Sequence, residues 1–118
     1  MNVLDSNHGR QDVSSIVEDV ICALDQEKAL DVVCINMHGE SAIADYIIIA
    51  SGRSSKHVVS MGHKLSIELK HIMGRYVAVE GRAQGDWVLV DAGDIVVHIF
   101  RPEVREFYKI EQILQKKS

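Results

Sequence analysis

WVLVDAGDIVVHIF, residues 87–100, joins two hydrophobic patterns across a small-residue break. In its first part Trp87, Leu89 and Asp91 alternate with Val88 and Val90, the period of a strand that turns one face to a core. In its second part Ile95 to Phe100 is apolar except for His98, as expected of a strand covered on both sides. Ala92-Gly93 supplies the turn, so the stretch predicts an antiparallel hairpin. A two-residue loop there sets Asp91 opposite Asp94, Leu89 opposite Val96 and Trp87 opposite His98. A three-residue loop with a bulged Gly93 moves Trp87 opposite Val97 instead. In both registers Val88 and Val90 serve the core, and Trp87, Leu89 and Asp91 face away from it.

Upstream, YVAVEG (76–81) reads as a third strand of the same region. Before it, residues 55–73 carry Val58, Met61, Leu65, Leu69 and Ile72 at helical spacing, with Gly74 as the stop. DYIIIASG (45–52) is a strand with little alternation, and DVVCINM (31–37) is a β-branched strand followed by the turn-rich HGESAIA. Residues 15–29 form an amphipathic helix on Ile16, Val17, Val20, Ile21 and Leu24, with Ser15 and Glu18 as a capping box. Downstream, Pro102 opens a last helix whose inward residues are Val104, Phe107, Ile110 and Leu114. The order αββαβββα predicts an α/β protein of the α+β type, a mixed five-stranded sheet with helices packed on it. One domain is expected at 14–114, between a flexible lead-in at 1–13 and a solvated tail at 115–118.

A chain of 118 residues suits one such domain. Its 47% hydrophobic and 25% charged residues are those of a soluble globular protein, and 5% aromatics leave the core aliphatic. The net charge of -4 and pI near 5.8 count against broad counterion-driven binding to free nucleic acid and favour a basic protein surface. Cys22 and Cys34 each lie in an apolar segment, which predicts reduced, buried thiols and no disulfide. No apolar run reaches the roughly 18 residues of a membrane span, and no signal-peptide core opens the chain, so a cytoplasmic location is expected.

Three stretches are candidates for chemistry or binding. SGRSS (51–55), between a strand and a helix, has the glycine, serines and free helix amides that can hold a phosphate. It lacks the Lys-Ser/Thr ending of a P-loop and the GxGxxG spacing, and any strand-to-helix corner needs a glycine and a cap. Asp91, Asp94 and His98 are metal-ligating types, but neither hairpin register brings the three into a compact set, and turn aspartates commonly bond their own backbone. His57, His63 and His71 share one helix without the adjacent-turn spacing of chelation, and read as solvated-face residues. No metal, cofactor or catalytic set is therefore expected. The third candidate is Trp87 with Leu89, near Glu80, Asp86 and Asp91: apolar groups rimmed by carboxylates, the anatomy of a hot spot for a basic partner. A core position fits Trp87 equally well from its pattern.

Four blocks together resemble the ribosomal silencing factor, or Iojap, family: ADYIIIASGRSSKHV (44–58), VEG (79–81), DWVLVDAGDIVVHIF (86–100) and REFYKIEQIL (105–114). The likeness spans roughly residues 15–114 and lies in the order and spacing of the blocks. It implies a nucleotidyltransferase-like sheet, a homodimer when free, and binding to the large ribosomal subunit through its ribosomal protein number fourteen. Occupying that surface would block association with the small subunit and lower translation when nutrients are scarce. Strands that alternate as little as these also fit a sheet face covered by a second copy. The family's surface falls on Glu80, Trp87, Asp91, Gly93 and Asp94, with Arg105 and Tyr108 on the last helix; Leu89 and Ala92 complete the expected partner-binding set.

Three positions depart from the family pattern. Ala92 stands where relatives often carry Tyr or Leu, which is expected to remove an apolar contact and lower affinity; Asn36 and Leu114 are expected to concern local packing. The Asp-x-Asp/Glu metal pair that nucleotidyltransferases carry about a dozen residues after their Gly-Ser corner is missing after Gly52-Arg53-Ser54. The resemblance thus implies a translation repressor that is no enzyme. Two readings compete with it. One is a nucleotide-binding or nucleotidyl-transferring enzyme using residues 51–55 with Asp91 and Asp94; the other is a large-subunit assembly factor sharing the same surface.

Overall fold

The computed structural model describes residues 13–37, 44–81, 85–109 and 112. The side chains of Phe107 and Tyr108, with Ile110, Leu114, nearly all of the lead-in and connection, and the tail, lie outside the described residues. The elements are α1 (Val13–Gln26), β1 (Leu30–Asn36), β2 (Tyr46–Ser51), α2 (Ser55–Met73), β3 (Ala78–Gly81), β4 (Trp87–Asp91), β5 (Ile95–Phe100) and α3 (Pro102–Tyr108). This is the expected order, and the strands form one sheet arranged β1-β2-β5-β4-β3. β2 and β5 run parallel at its centre, and every other neighbouring pair is antiparallel.

Burial explains the two kinds of strand. α1 and α2 cover one face, where Ile48, Ala50, Val88, Val90, Ile95, Val97 and Ile99 meet Val20, Leu24, Val58, Met61, Leu65 and Leu69. On the other face Ile35, Met37, Ile47, Ile49 and Phe100 pack together, joined by half-buried Trp87 and by Val104 of α3. β5 is buried along its whole length, which accounts for its unbroken apolar run. Both faces of β2 and β5 are thus covered by this chain itself, and a second copy is not needed to explain their lack of alternation. Gly62 lets α2 lie directly on the sheet: a Cβ there would stand 2.5 Å from Val88 Cγ1, closer than any side chain tolerates.

α2 has the predicted bounds because both of its ends carry local chemistry. Ser54 accepts the His57 amide at 3.1 Å, and Gly74 takes φ 65 while its N–H bonds to the Lys70 carbonyl. α1 departs from expectation at both ends. It is already helical at Val13, whose side chain packs on the core, so Ser15 lies inside the first turn and is not the N-cap of a capping box. It stops at Gln26 because Lys28 turns left-handed at φ 65, with Ala29 N–H bonding to Leu24 O and Lys28 N–H to Asp25 O. That is a Schellman closure with lysine where glycine is usual. α3 closes at Tyr108, where Lys109 takes φ 51 and its N–H bonds to Arg105 O and Glu106 O; Gln112 beyond it is again helical.

The hairpin register differs from both predicted ones. Trp87 pairs with Phe100, Leu89 with His98 and Asp91 with Val96. Ala92 N–H bonds to Ile95 O at 2.9 Å, so the loop is Gly93-Asp94. Ala92 is 2% exposed on the helix-covered face, continuing the Val88–Val90 alternation, and burying its methyl carries the paired strand beyond Asp91. Gly93 then opens the loop at φ 88, the positive angle that the first position of a type II′ hairpin loop needs. The cysteines are free as expected but exposed: Cys22 lies on the outward stripe of α1 and Cys34 on edge strand β1. Among the described residues no helix is long and apolar enough to cross a membrane.

Candidate functional site

Paired residues share a face, so the register lays out the α3 side of the sheet in rows. Glu80 of β3 lies beside Leu89 of β4, which lies beside His98 of β5. In the next rows Trp87 adjoins Phe100, and Ala78, Asp91 and Val96 stand in line. The alternation reading of β4 therefore holds: Val88 and Val90 are in the helix-covered core, while Trp87, Leu89 and Asp91 face the other way.

Trp87 is neither fully core nor free. Its ring stacks at 5.3 Å from Phe100 and 5.8 Å from His98, and those two rings lie 6.0 Å apart and nearly parallel. Its Nε1–H donates to His98 Nδ1 at 3.2 Å. That bond makes Nδ1 an acceptor, so the imidazole is neutral with its proton on Nε2. Burial, which disfavours the charged ring, pushes the His98 pKa down to about 4. The remaining surface of Trp87, with Glu80, Gly81 and Leu89, lines a shallow recess.

Asp91 does not rim this ring as the sequence reading expected, and neither does Asp94. Asp91 lies four residue steps along the strand from Trp87, about 13 Å at ~3.3 Å per residue, which leaves both aspartates at the hairpin tip. There Asp91 Oδ1 accepts the Gly93 N–H at 2.9 Å, the local backbone bond that turn aspartates favour. Arg75 donates to Ala92 O at 2.8 Å and stands 3.8 Å from Asp94. His98, buried and holding Trp87, is not part of an Asp91–Asp94 ligand set, and among the described residues no group of three or more His, Cys, Asp or Glu side chains could hold a metal.

The other expected residues divide between contact and support. Glu80 is exposed beside Leu89, whereas Asp86 is held by Arg101, whose Nε and Nη2 both reach its Oδ1 at 2.9 Å. Arg105 is buried and donates to Ser51 Oγ at 2.9 Å, tying α3 to the end of β2. The Ala92 methyl points into the helix side and contributes to core packing there.

At the corner 51–55 and the start of α2, four amides have partners within the chain. Gly52 N–H bonds to Phe100 O, Arg53 N–H to His57 Nδ1, and the His57 and Val58 amides to Ser54. His57 Nε2 lies 2.7 Å from the Glu27 carbonyl, so this ring clamps the end of α1 to the start of α2 and is not a solvated-face residue. His63 and His71 are exposed as expected. Sequence reasoning set His98 opposite Trp87 in one of its registers but missed Phe100 as the ring's cross-strand partner. It also missed Arg75 and Arg101, for which no motif exists.

A family profile described as "Ribosomal silencing factor during starvation" matches residues 10–118. A Zymomonas mobilis protein named ribosomal silencing factor is 46% identical over 102 residues, covering 86% of this chain and 77% of its own. A mouse protein named mitochondrial assembly of ribosomal large subunit protein 1 is 36% identical over 105 residues; the match takes in 86% of this chain and 46% of the mouse protein. The crystal structure of a Chromobacterium violaceum protein superposes with a TM-score of 0.81 at 33% identity, covering 87% of this chain and 86% of that one.

Proposed function

This chain belongs to the family of ribosomal silencing factors, and from that premise we propose that it binds the large ribosomal subunit through ribosomal protein number fourteen and blocks joining to the small subunit. The observation that carries this reading is the face on which half-buried Trp87, Leu89 and exposed Glu80 line one recess. An aromatic seated on its own Phe100 and His98 is held rigid before any partner arrives, so little side-chain entropy is lost on contact. Glu80, with Asp91 and Asp94 at the tip, matches a basic ribosomal protein better than nucleic acid. The protein acts by occupying a surface, without catalysis, in the cytoplasm where ribosomes join, and it is a homodimer when free.

The test is co-sedimentation with purified subunits followed by a joining assay. Binding to the large subunit alone, with fewer joined ribosomes as protein is added, is the expected result. Equal recovery on both subunits, or undiminished joining with the protein bound, contradicts it. Light scattering at micromolar concentration checks the dimer. The name of the mouse relative favours a second reading, an assembly factor using the same surface. Loss of the protein would then leave immature large subunits, whereas silencing predicts mature subunits that join more readily.

A further inference from the structure

Among the described residues, Tyr76 is the most exposed large hydrophobic, at 80%. It lies between α2 and β3, and neither the hairpin nor the aromatic stack explains it. An exposed tyrosine in a connection is ordinary taken alone. Here its two neighbours hold it in place. Val77 is 2% exposed in the helix-covered core, and Arg75 donates to the Ala92 carbonyl at 2.8 Å. The Arg75 guanidinium also lies over the loop: a Cβ on Gly93 would come within 3.1 Å of its Nη2. The backbone that carries Tyr76 is thus fastened to the sheet on one side and to the hairpin tip on the other.

The β3–β4 ladder begins at Ala78, which pairs with Asp91, so Tyr76 lies two residues before it at the hairpin-tip end, where Arg75 approaches Asp94 at 3.8 Å. Val77 is buried on the helix side, so the exposed Tyr76 turns away from it, toward the side on which Ala78 and Glu80 stand beside Asp91 and Leu89. We propose that Tyr76 is an aromatic anchor of the partner surface, standing at the hairpin tip and meeting a basic protein segment of the large subunit. Tyrosine and arginine are the residue types that dominate such contacts, and the tip supplies Asp91 and Asp94 beside them in a chain of net charge -4. The surface then has two footholds, the Trp87 recess and the Tyr76 tip, and Arg75 serves as the positioning residue of the second.

This inference rests on the large-subunit reading above, and its test separates the two. Wild type, Tyr76→Ala, Tyr76→Phe and Arg75→Gln are titrated with purified large subunits and with protein-free large-subunit RNA. Thermal unfolding and light scattering are run on the same samples. Tyr76→Ala is expected to weaken subunit binding roughly tenfold or more with an unchanged melting temperature, because an 80% exposed ring supports no core. Tyr76→Phe should recover most of that loss, and Arg75→Gln should weaken binding less than Tyr76→Ala does. Wild-type binding that Tyr76→Ala leaves intact overturns the anchor while sparing the functional reading. Wild type that fails to bind overturns both. Loss of dimer with subunit binding unchanged would give the ring to a second copy, and equal loss on naked RNA would make it a base-stacking platform; either result overturns the proposal.

Discussion

The buried cluster beneath α1 and α2 is built from aliphatic side chains and Met61, with Tyr46 and Met73 at its margin, whereas the cluster beneath α3 centres on Phe100 with Trp87 packed against it, adjoins His98, and has Arg105 and Ser51 buried at its edge. The first face needs only volume and apolarity, and two long helices supply both. The second is closed in part by a seven-residue helix and in part by an aromatic stack that stays half open. Side chains that combine apolar area with a polar handle are poor choices for a dry core, and good ones for a surface that must be ordered yet still bind. The contrast fits the proposed function, with stability resting chiefly on the helix-covered face and recognition on the other.

The largest expected effect comes from emptying the first face. Ile99 is 0% exposed in its cluster, so Ile99→Ala should destabilise the protein by about 2–5 kcal/mol in urea unfolding. Binding per folded molecule should not change, and a specific binding defect in this variant would break the division between the faces.

Acid probes the second face. The folded-state pKa of His98 is lowered from 6.5 to about 4, so its neutral form is the one the fold prefers. The stability it contributes is complete above pH 6.5 and is lost as the pH falls through the interval toward 4. The loss is on the order of 3 kcal/mol by proton linkage. His98→Gln, which cannot titrate, should flatten that part of the stability profile. An unchanged acid slope in His98→Gln would show that other groups govern it.

A smaller effect lies at the end of α1. Lys28 occupies a left-handed position at φ 65 that costs a side-chain-bearing residue about 1 kcal/mol relative to glycine. Lys28→Gly should stabilise the protein by up to that amount, offset in part by extra freedom in the unfolded chain. It should leave binding untouched, and thermal unfolding decides it.

What the sequence disclosed follows the range of the forces involved. α2 was legible to the residue because Ser54 and Gly74 carry their capping chemistry locally. The end of α1 was not, since nothing in a lysine announces a left-handed turn; the closing bonds to Leu24 and Asp25 bring it about. The hairpin turned on Ala92, whose burial depends on helices distant in sequence, so its register was misread although its alternation was right. Consequently the shared face of Trp87, Leu89 and Asp91 could be read, but the place of Glu80 beside Leu89, the Trp87–His98 bond and the separation of the recess from the tip could not. Arg75 carries no pattern, and Tyr76, read as the start of the third strand, stands two residues before β3; both enter only through contacts and exposure.

The division of labour is tested most directly at Trp87, by measuring large-subunit affinity and unfolding free energy on the same Trp87→Ala protein. Because the ring is half-buried, the loss of stability should fall short of the roughly 3–5 kcal/mol that deleting a fully buried aromatic costs. Binding should weaken by about 2 kcal/mol or more, as for an interface hot spot. A variant that unfolds as readily as Ile99→Ala yet binds large subunits normally whenever folded would place Trp87 in the core and contradict the account.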